Sequence, residues 1–250
     1  MKKLIWFLLT ATLLFSYSCE KKPIGPISEK PSFTINGVVV KDMNTEKDIA
    51  SFEVWRNDTL YNDAVVKVGN QNIPNTGSGL YDSVFVDTTF QVKTAYIDSI
   101  ISSQDTITIT FSFTMPDTFS TKILSDKDTF TVQDLPISVD WRAPYNADGY
   151  IIGVAKGDTI TGAVLYSATV DSPPRSIPQE AFYKAGMGDL VTGDYWIYVV
   201  AYNKSFVNYP EIPFELPAGL PANNISGAKG TIGAGVIAKK ATITLITLSQ

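Results

Sequence analysis

Apolar and polar positions alternate over short runs through much of this chain, and turn-forming residues separate the runs. Ile137, Val139 and Trp141 fall on one face of an extended segment, and Tyr150, Ile152 and Val154 do the same after a turn over Pro144 to Gly149. A period of two is the mark of a strand that buries one face. Tyr195, Ile197, Val199 and Ala201 repeat it within Asp194 to Asn203, and three such strands can cover one side of a small all-β core.

The first half of the chain carries the same signal. Phe33 and Ile35 open it, Phe52 and Val54 continue it, and Ala64 to Val68 follows a turn cluster at Arg56 to Asp58. The cleanest alternation is TITITFSFTM, Thr106 to Met115, where Ile107, Ile109, Phe111 and Phe113 alternate with threonine and serine. Phe130 and Val132 close this set, and only Asp134 to Pro136 separates it from the second block. The expected plan is all-β, with two tandem β-sandwich domains over 32–134 and 135–250. So short a junction predicts a restricted mutual orientation. Two stretches interrupt the pattern. Ser176 to Gly186, with Pro178 and Gly186 as start and stop, predicts a turn or two of helix. A long insertion at about 204–240 has prolines in its first part and glycines in its second, and Ala241 to Leu248 supplies the last strand.

The runs ISVDWRAPYNADGYIIGV and LVTGDYWIYVVAYN together resemble a fibronectin type III domain. In that family a tryptophan ends the second strand, a Gly-Tyr pair begins the third, and a leucine precedes the tyrosine of a corner. Trp141, Gly149, Tyr150, Leu190, Tyr195, Ala201 and Asn203 fill the corresponding places. The segment from Tyr61 to Pro116 is similar to the small Ig-like sandwich that opens many secreted bacterial lipoproteins. The resemblances imply an Ig-like module followed by a fibronectin type III-like one, both binding or structural folds that host many roles.

Residues 1–18 have the layout of a cleaved signal peptide: Lys2 and Lys3, a 12-residue apolar run from Leu4 to Phe15, then small polar residues. The run is too short to span a bilayer. Ser16 to Cys19 is similar to the lipobox of bacterial lipoproteins, which implies that Cys19 becomes a lipidated N-terminus. Ordinary cleavage after Ser18 would instead leave a secreted protein with a free thiol. The lipid is favoured, because an unpaired cysteine in an oxidising compartment invites mispairing and a thioether removes it. Acyl chains contribute about 0.8 kcal/mol per buried methylene, so two or more hold a protein on a membrane stably. Residues 19–31, polar and proline-containing after the cysteine, read as a tether. The expected address is extracytoplasmic, on a bacterial membrane, with the outer membrane or cell surface favoured.

Composition narrows the chemistry. Charged residues are 18% and apolar ones 44% of the 250 residues, which favours a packed core over disorder. The net charge is −5, and −7 once residues 1–18 with Lys2 and Lys3 are removed, so a nucleic-acid partner is not expected. With no histidine and one cysteine, His-dependent nucleophilic sites, His- or Cys-ligated metal centres and intramolecular disulfides are excluded. No cofactor or metal is called for.

Three candidate sites remain. Gly230 to Gly235 is spaced GxxGxG rather than GxGxxG and has no room for a βαβ unit after it, so glycine bends beside an edge strand are expected, not phosphate binding. Asp98, Asp105, Asp126, Asp128, Asp148 and Asp158 lack calcium-loop spacing and suit Asx turns. The third is the outer face of the strand at 195–202. If Tyr195 and its alternates face the core, Trp196, Tyr198, Val200 and Tyr202 face away from it, as a contact surface for a protein or a glycan. The competing expectation is that the 204–240 insertion or the first domain folds over them. The leading functional expectation is a non-enzymatic cell-envelope lipoprotein with a binding or structural role, its partners being the membrane through its lipid and a protein or glycan. The alternatives are a carbohydrate-binding lipoprotein of a glycan-uptake system, stacking sugars on Trp196, Tyr198 and Tyr202, and a weak carboxylate-dependent hydrolase.

Overall fold

Gly193–Asn203 is a strand whose odd and even positions are both apolar, and nine of its eleven residues are buried. Such a strand is stable only where both faces of its sheet are covered. The rest of the fold supplies the two covers. The computed structural model describes residues 32–86, 94–100, 106–156, 164–183, 190–207, 209 and 212–247. Signal, Cys19 and tether lie outside the described residues, as do Asp105 and Asp158.

In chain order the strands are β1 (Phe33–Asp42), β2 (Lys47–Arg56), β3 (Thr59–Leu60), β4 (Ala64–Val68), β5 (Gln71–Ile73), β6 (Asn75–Gly77), β7 (Leu80–Val86), β8 (Thr94–Ile100) and β9 (Thr106–Ser112). They continue with β10 (Thr121–Ile123), β11 (Thr129–Phe130), β12 (Ile137–Trp141), β13 (Gly149–Lys156), β14 (Val164–Val170), β15 (Arg175–Ile177), β16 (Gly193–Asn203), β17 (Lys229–Ile237) and β18 (Ala241–Leu245). The helix expected within Ser176 to Gly186 is a single 3₁₀ turn, Gln179–Phe182, behind Pro178.

Eleven of these strands form one sheet, which runs β14-β13-β16-β17-β1-β2-β7-β6, with β18 beside the first half of β16, β11 beyond β18 and β3 beside β2. Two smaller sheets, β5-β4-β8-β9 and β10-β12-β15, complete two sandwiches. In the second sandwich the three-stranded sheet faces β14-β13-β16-β18 across Val139, Trp141, Ile152, Val154, Ile197 and Ile243, three strands on four. Its corner is present: the Tyr195 hydroxyl donates to the Val191 carbonyl at 2.5 Å, and burial pushes its pKa up to about 12. The first sandwich encloses Phe33, Ile35, Phe52, Val54, Val66, Tyr81 and Ile109, and the Tyr81 hydroxyl donates to Tyr61 O while accepting from Ala64 N–H, both at 3.0 Å.

The sheet does not break at residues 134–135. β17 runs antiparallel to the end of β16 from Ala234 to Ile237 and parallel to β1 over its whole length, so the first sandwich takes Ile232 and Ala234 from the C-terminal half of the chain. This corrects the expectation for Gly230 to Gly235. These glycines lie within an interior strand and not in bends beside an edge strand, and part of the presumed insertion is regular structure. Two ties hold the junction. Asn44, in the β1–β2 turn, donates through Nδ2 to Ala238 O at 3.1 Å and accepts through Oδ1 from Lys240 N–H at 2.8 Å. Asn203, buried at the end of β16, accepts from Thr114 N–H at 2.9 Å and donates to Asn146 O at 3.0 Å.

Candidate functional site

Cross-strand partners share a face, so pairing identifies what each side of the long sheet meets. Ala201 pairs with Val236 and points toward the sandwich cores, whereas Val200 pairs with Ile237 and points the other way. On that second side lies a third apolar core: Val38, Val40 and Ile49 from β1 and β2, Ile151 and Ala155 from β13, and the outer row of β16.

Of the two expectations for Trp196, Tyr198 and Tyr202, an open contact surface or a row covered by the insertion, the second holds: they are 8%, 8% and 9% exposed. The cover is the excursion that follows β16, which sets Phe206, Tyr209, Ile212 and Phe214 over them. Tyr198 meets Phe214 with ring centroids 5.8 Å apart and Trp196 edge-on at 6.4 Å. The Lys240 ammonium stands 3.0 Å from the centroid of the Trp196 ring and closes the end of the row. Desolvation, with a smaller push from the Asp42 carboxylate, raises the Tyr198 hydroxyl to about 12. The physical reason for the cover is area: an aromatic row of this size gains more from burial than from water, and the chain following it is long and apolar enough to provide the cover.

The glycines admit that cover. A Cβ on Gly233 would collide with the backbone of Ser205, and one on Gly153 or Gly235 would enter the rings of Phe214 and Phe206. The Ser205 hydroxyl donates to Pro221 O at 2.6 Å and ties the two ends of the excursion. Asn224 pairs with Ile232 through both its side-chain amide and its carbonyl oxygen, and so fixes the return into β17.

Among the described residues the cover reaches Ile49 but stops short of Ser51 and Glu53 on β2 and of β7. Beyond its rim the same sheet face lies open as a groove of about 710 Å³. Its floor carries Asn36 of β1, Ser51 and Glu53 of β2, and Asp82 of β7; Ser51 and Asp82 are direct cross-strand partners. Its wall is apolar, made by Phe206, Val207, Leu220 and Pro221, and Ile49 and Val84 lie at one end. Asn36 Oδ1 is engaged by Thr231 N–H at 3.2 Å. None of the residues lining this groove is basic. Sequence periodicity could place Ser51, Glu53 and Asp82 on an outer face, but nothing in it tells where the cover ends.

Asp128, Asp134 and Asp148 are each held in local contacts of their own. Asp148 accepts from Lys204 N–H at 2.7 Å, and Asp128 accepts at most from its neighbour Thr129 on an exposed turn. Asp134 accepts from Lys127 at 2.6 Å and from Thr131 N–H, which hold its carboxyl at about 2. Among the described residues no group of three or more Cys, Asp or Glu side chains is arranged to hold a metal.

No family model matches the chain, and no curated protein matches it. Among solved structures it is similar to one described as fibronectin(III)-like modules of Clostridium thermocellum CbhA, at 11% identity and a TM-score of 0.30, covering 87% of this chain and 97% of that one.

Proposed function

We propose that this chain is a non-enzymatic, extracytoplasmic lipoprotein, held to a bacterial membrane through Cys19. Its Ig-like and fibronectin type III-like sandwiches, joined by a shared sheet, present the groove over Asn36, Ser51, Glu53 and Asp82 to a partner. The observation that carries this reading is the abrupt end of the cover. Over Val38, Val40, Ile151, Ala155 and the outer row of β16 the outer face of the shared sheet is packed with apolar side chains, and over Asn36, Ser51, Glu53 and Asp82 it is polar and open beside an apolar wall. Polar groups on a rigid strand floor beside apolar flanks are the usual make-up of a binding site. The glycan-stacking alternative loses its platforms, since Trp196, Tyr198 and Tyr202 are under the excursion. A glycan would have to enter the groove instead.

The anchor is tested by labelling cells with an alkyne fatty acid: label should appear on the wild-type chain in the membrane fraction and vanish in Cys19→Ala. Label absent from the wild type, or a chain in the cytosol, overturns the address. The groove is tested by Ser51→Trp, which fills it without touching either sandwich core. Envelope crosslinks that persist unchanged in this variant overturn the groove as the contact site.

A further inference from the structure

The rim of the groove opposite the Phe206 wall is β7, and β7 is unlike the other strands of the floor. On one side it pairs with β2 from Leu80 to Val86. On the other, β6 reaches only Leu80 and Tyr81, and Asp82 N–H is taken by Pro74 O. From Ser83 to Val86 the outer edge of β7 has no strand beside it among the described residues. An open edge offers main-chain donors and acceptors to an extended polypeptide, and the side chains on the adjoining face set which polypeptide is accepted.

That face is selective by charge. Asp82 and Val84 point from β7 into the groove, Glu53 stands on the neighbouring strand, and no lysine or arginine lines the groove to neutralise them. Val84 is 53% exposed, an apolar side chain at the rim with nothing over it among the described residues. We infer that the groove takes a basic, extended peptide segment of a partner protein. It adds as a strand to the edge of β7, with one basic side chain over Asp82 and Glu53 and an apolar one, two residues along, over Val84. The spacing follows from strand geometry, in which every second side chain shares a face. A neutral glycan would use neither the open edge nor the uncompensated carboxylates. The inference rests on the groove being the binding site, and the test separates the two.

The probes are a fluorescent heptapeptide TKTVTKT, its charge-reversed partner TETVTET and cellohexaose. They are titrated into the mature chain and into two variants, Glu53→Gln/Asp82→Asn and Ser51→Trp. Both carboxylates are on a solvent-facing surface, and circular dichroism checks that each variant is folded. The expected result is saturable anisotropy with TKTVTKT, weakened at least tenfold in the double amide variant and by raised salt, abolished by Ser51→Trp, and no response to TETVTET. Equal binding of the two peptides, or affinity for TKTVTKT unchanged in the double variant, overturns the basic-peptide inference. Cellohexaose bound and blocked by Ser51→Trp, with neither peptide bound, overturns it while the groove stands. No probe bound by any form refutes the inference, and envelope crosslinks that survive Ser51→Trp remove the groove as well.

Discussion

Substituting Gly233 with alanine asks whether the cover over β16 is seated by the absence of a side chain. The new Cβ would overlap the carbonyl group of Ser205 and stand 2.9 Å from its nitrogen. No rotamer relieves a clash between a Cβ and a backbone, so Ser205 and Phe206 must lift from the sheet. Phe206 and Phe214 are 2% and 3% exposed. Losing the burial of both costs about 3–6 kcal/mol, at about 1.5–3 kcal/mol per large apolar side chain. That is a large share of the roughly 5–15 kcal/mol that holds a folded domain together. For a body of this size the melting temperature should fall by at least about 6 °C. Urea unfolding followed by circular dichroism measures the loss, and fluorine NMR with fluorotryptophan should show the Trp196 resonance shifting toward its solvent-exposed position. Gly227→Ala is the control. Its φ is +86° with open space around it, so only backbone strain of about 1–2 kcal/mol is expected, with Trp196 undisturbed. If Gly233→Ala stays within about 1 kcal/mol of the parent and Trp196 does not move, the close-approach reasoning is wrong.

Other outcomes follow from the same geometry. Lys240→Met should remove the contact over Trp196, lowering stability by about 1–2 kcal/mol in a urea melt while the two sandwiches keep their strand signal. Asn203→Ala should cost about 1–3 kcal/mol by leaving the Thr114 amide and Asn146 carbonyl unmatched, and an unchanged melt would show the tie to be idle. Tyr195 and Tyr198 have folded pKa values raised to about 12 from 10.0, so the stability they contribute is complete below pH 10 and is lost as pH rises toward 12. An absorbance titration in which all tyrosines ionise together near 10 would contradict this. Asp134 has the opposite sign: its carboxyl sits at about 2 against 3.8, chiefly through Lys127, so its contribution is present above pH 3.8 and lost as pH falls through 2. Asp134→Asn should flatten the acid limb of a stability–pH curve between those values.

The strands were legible because each core strand obeys a local rule. Ile137, Val139 and Trp141, or Ile152 and Val154, declare a buried face by spacing alone, and these residues share a core in the folded chain. The corner at Tyr195 was implied by the resemblance to a fibronectin type III domain, and its bond to Val191 spans only four residues. Gly230 to Gly235 was misread. Glycines weaken a strand locally, and the compensation here is the backbone of Ser205, which a local reading cannot bring alongside. The row at 196–202 was assigned correctly to a face, but whether solvent or the insertion lay on that face stayed open. Alternation says which side a residue takes and nothing about what lies on that side.

By itself the sequence determined an all-β chain, the alternation that builds its cores, a short helical turn behind Pro178 and the absence of histidine chemistry, because strand period, turn residues and composition act over a few residues. The tertiary structure alone decided that β1 and β17 join the two halves in one sheet, that the aromatic row is roofed, and that the roof ends over Ser51, Glu53 and Asp82. Those outcomes depend on which distant surfaces meet. That is settled by the total apolar area buried and by backbone fit, and neither is written in any single stretch of chain.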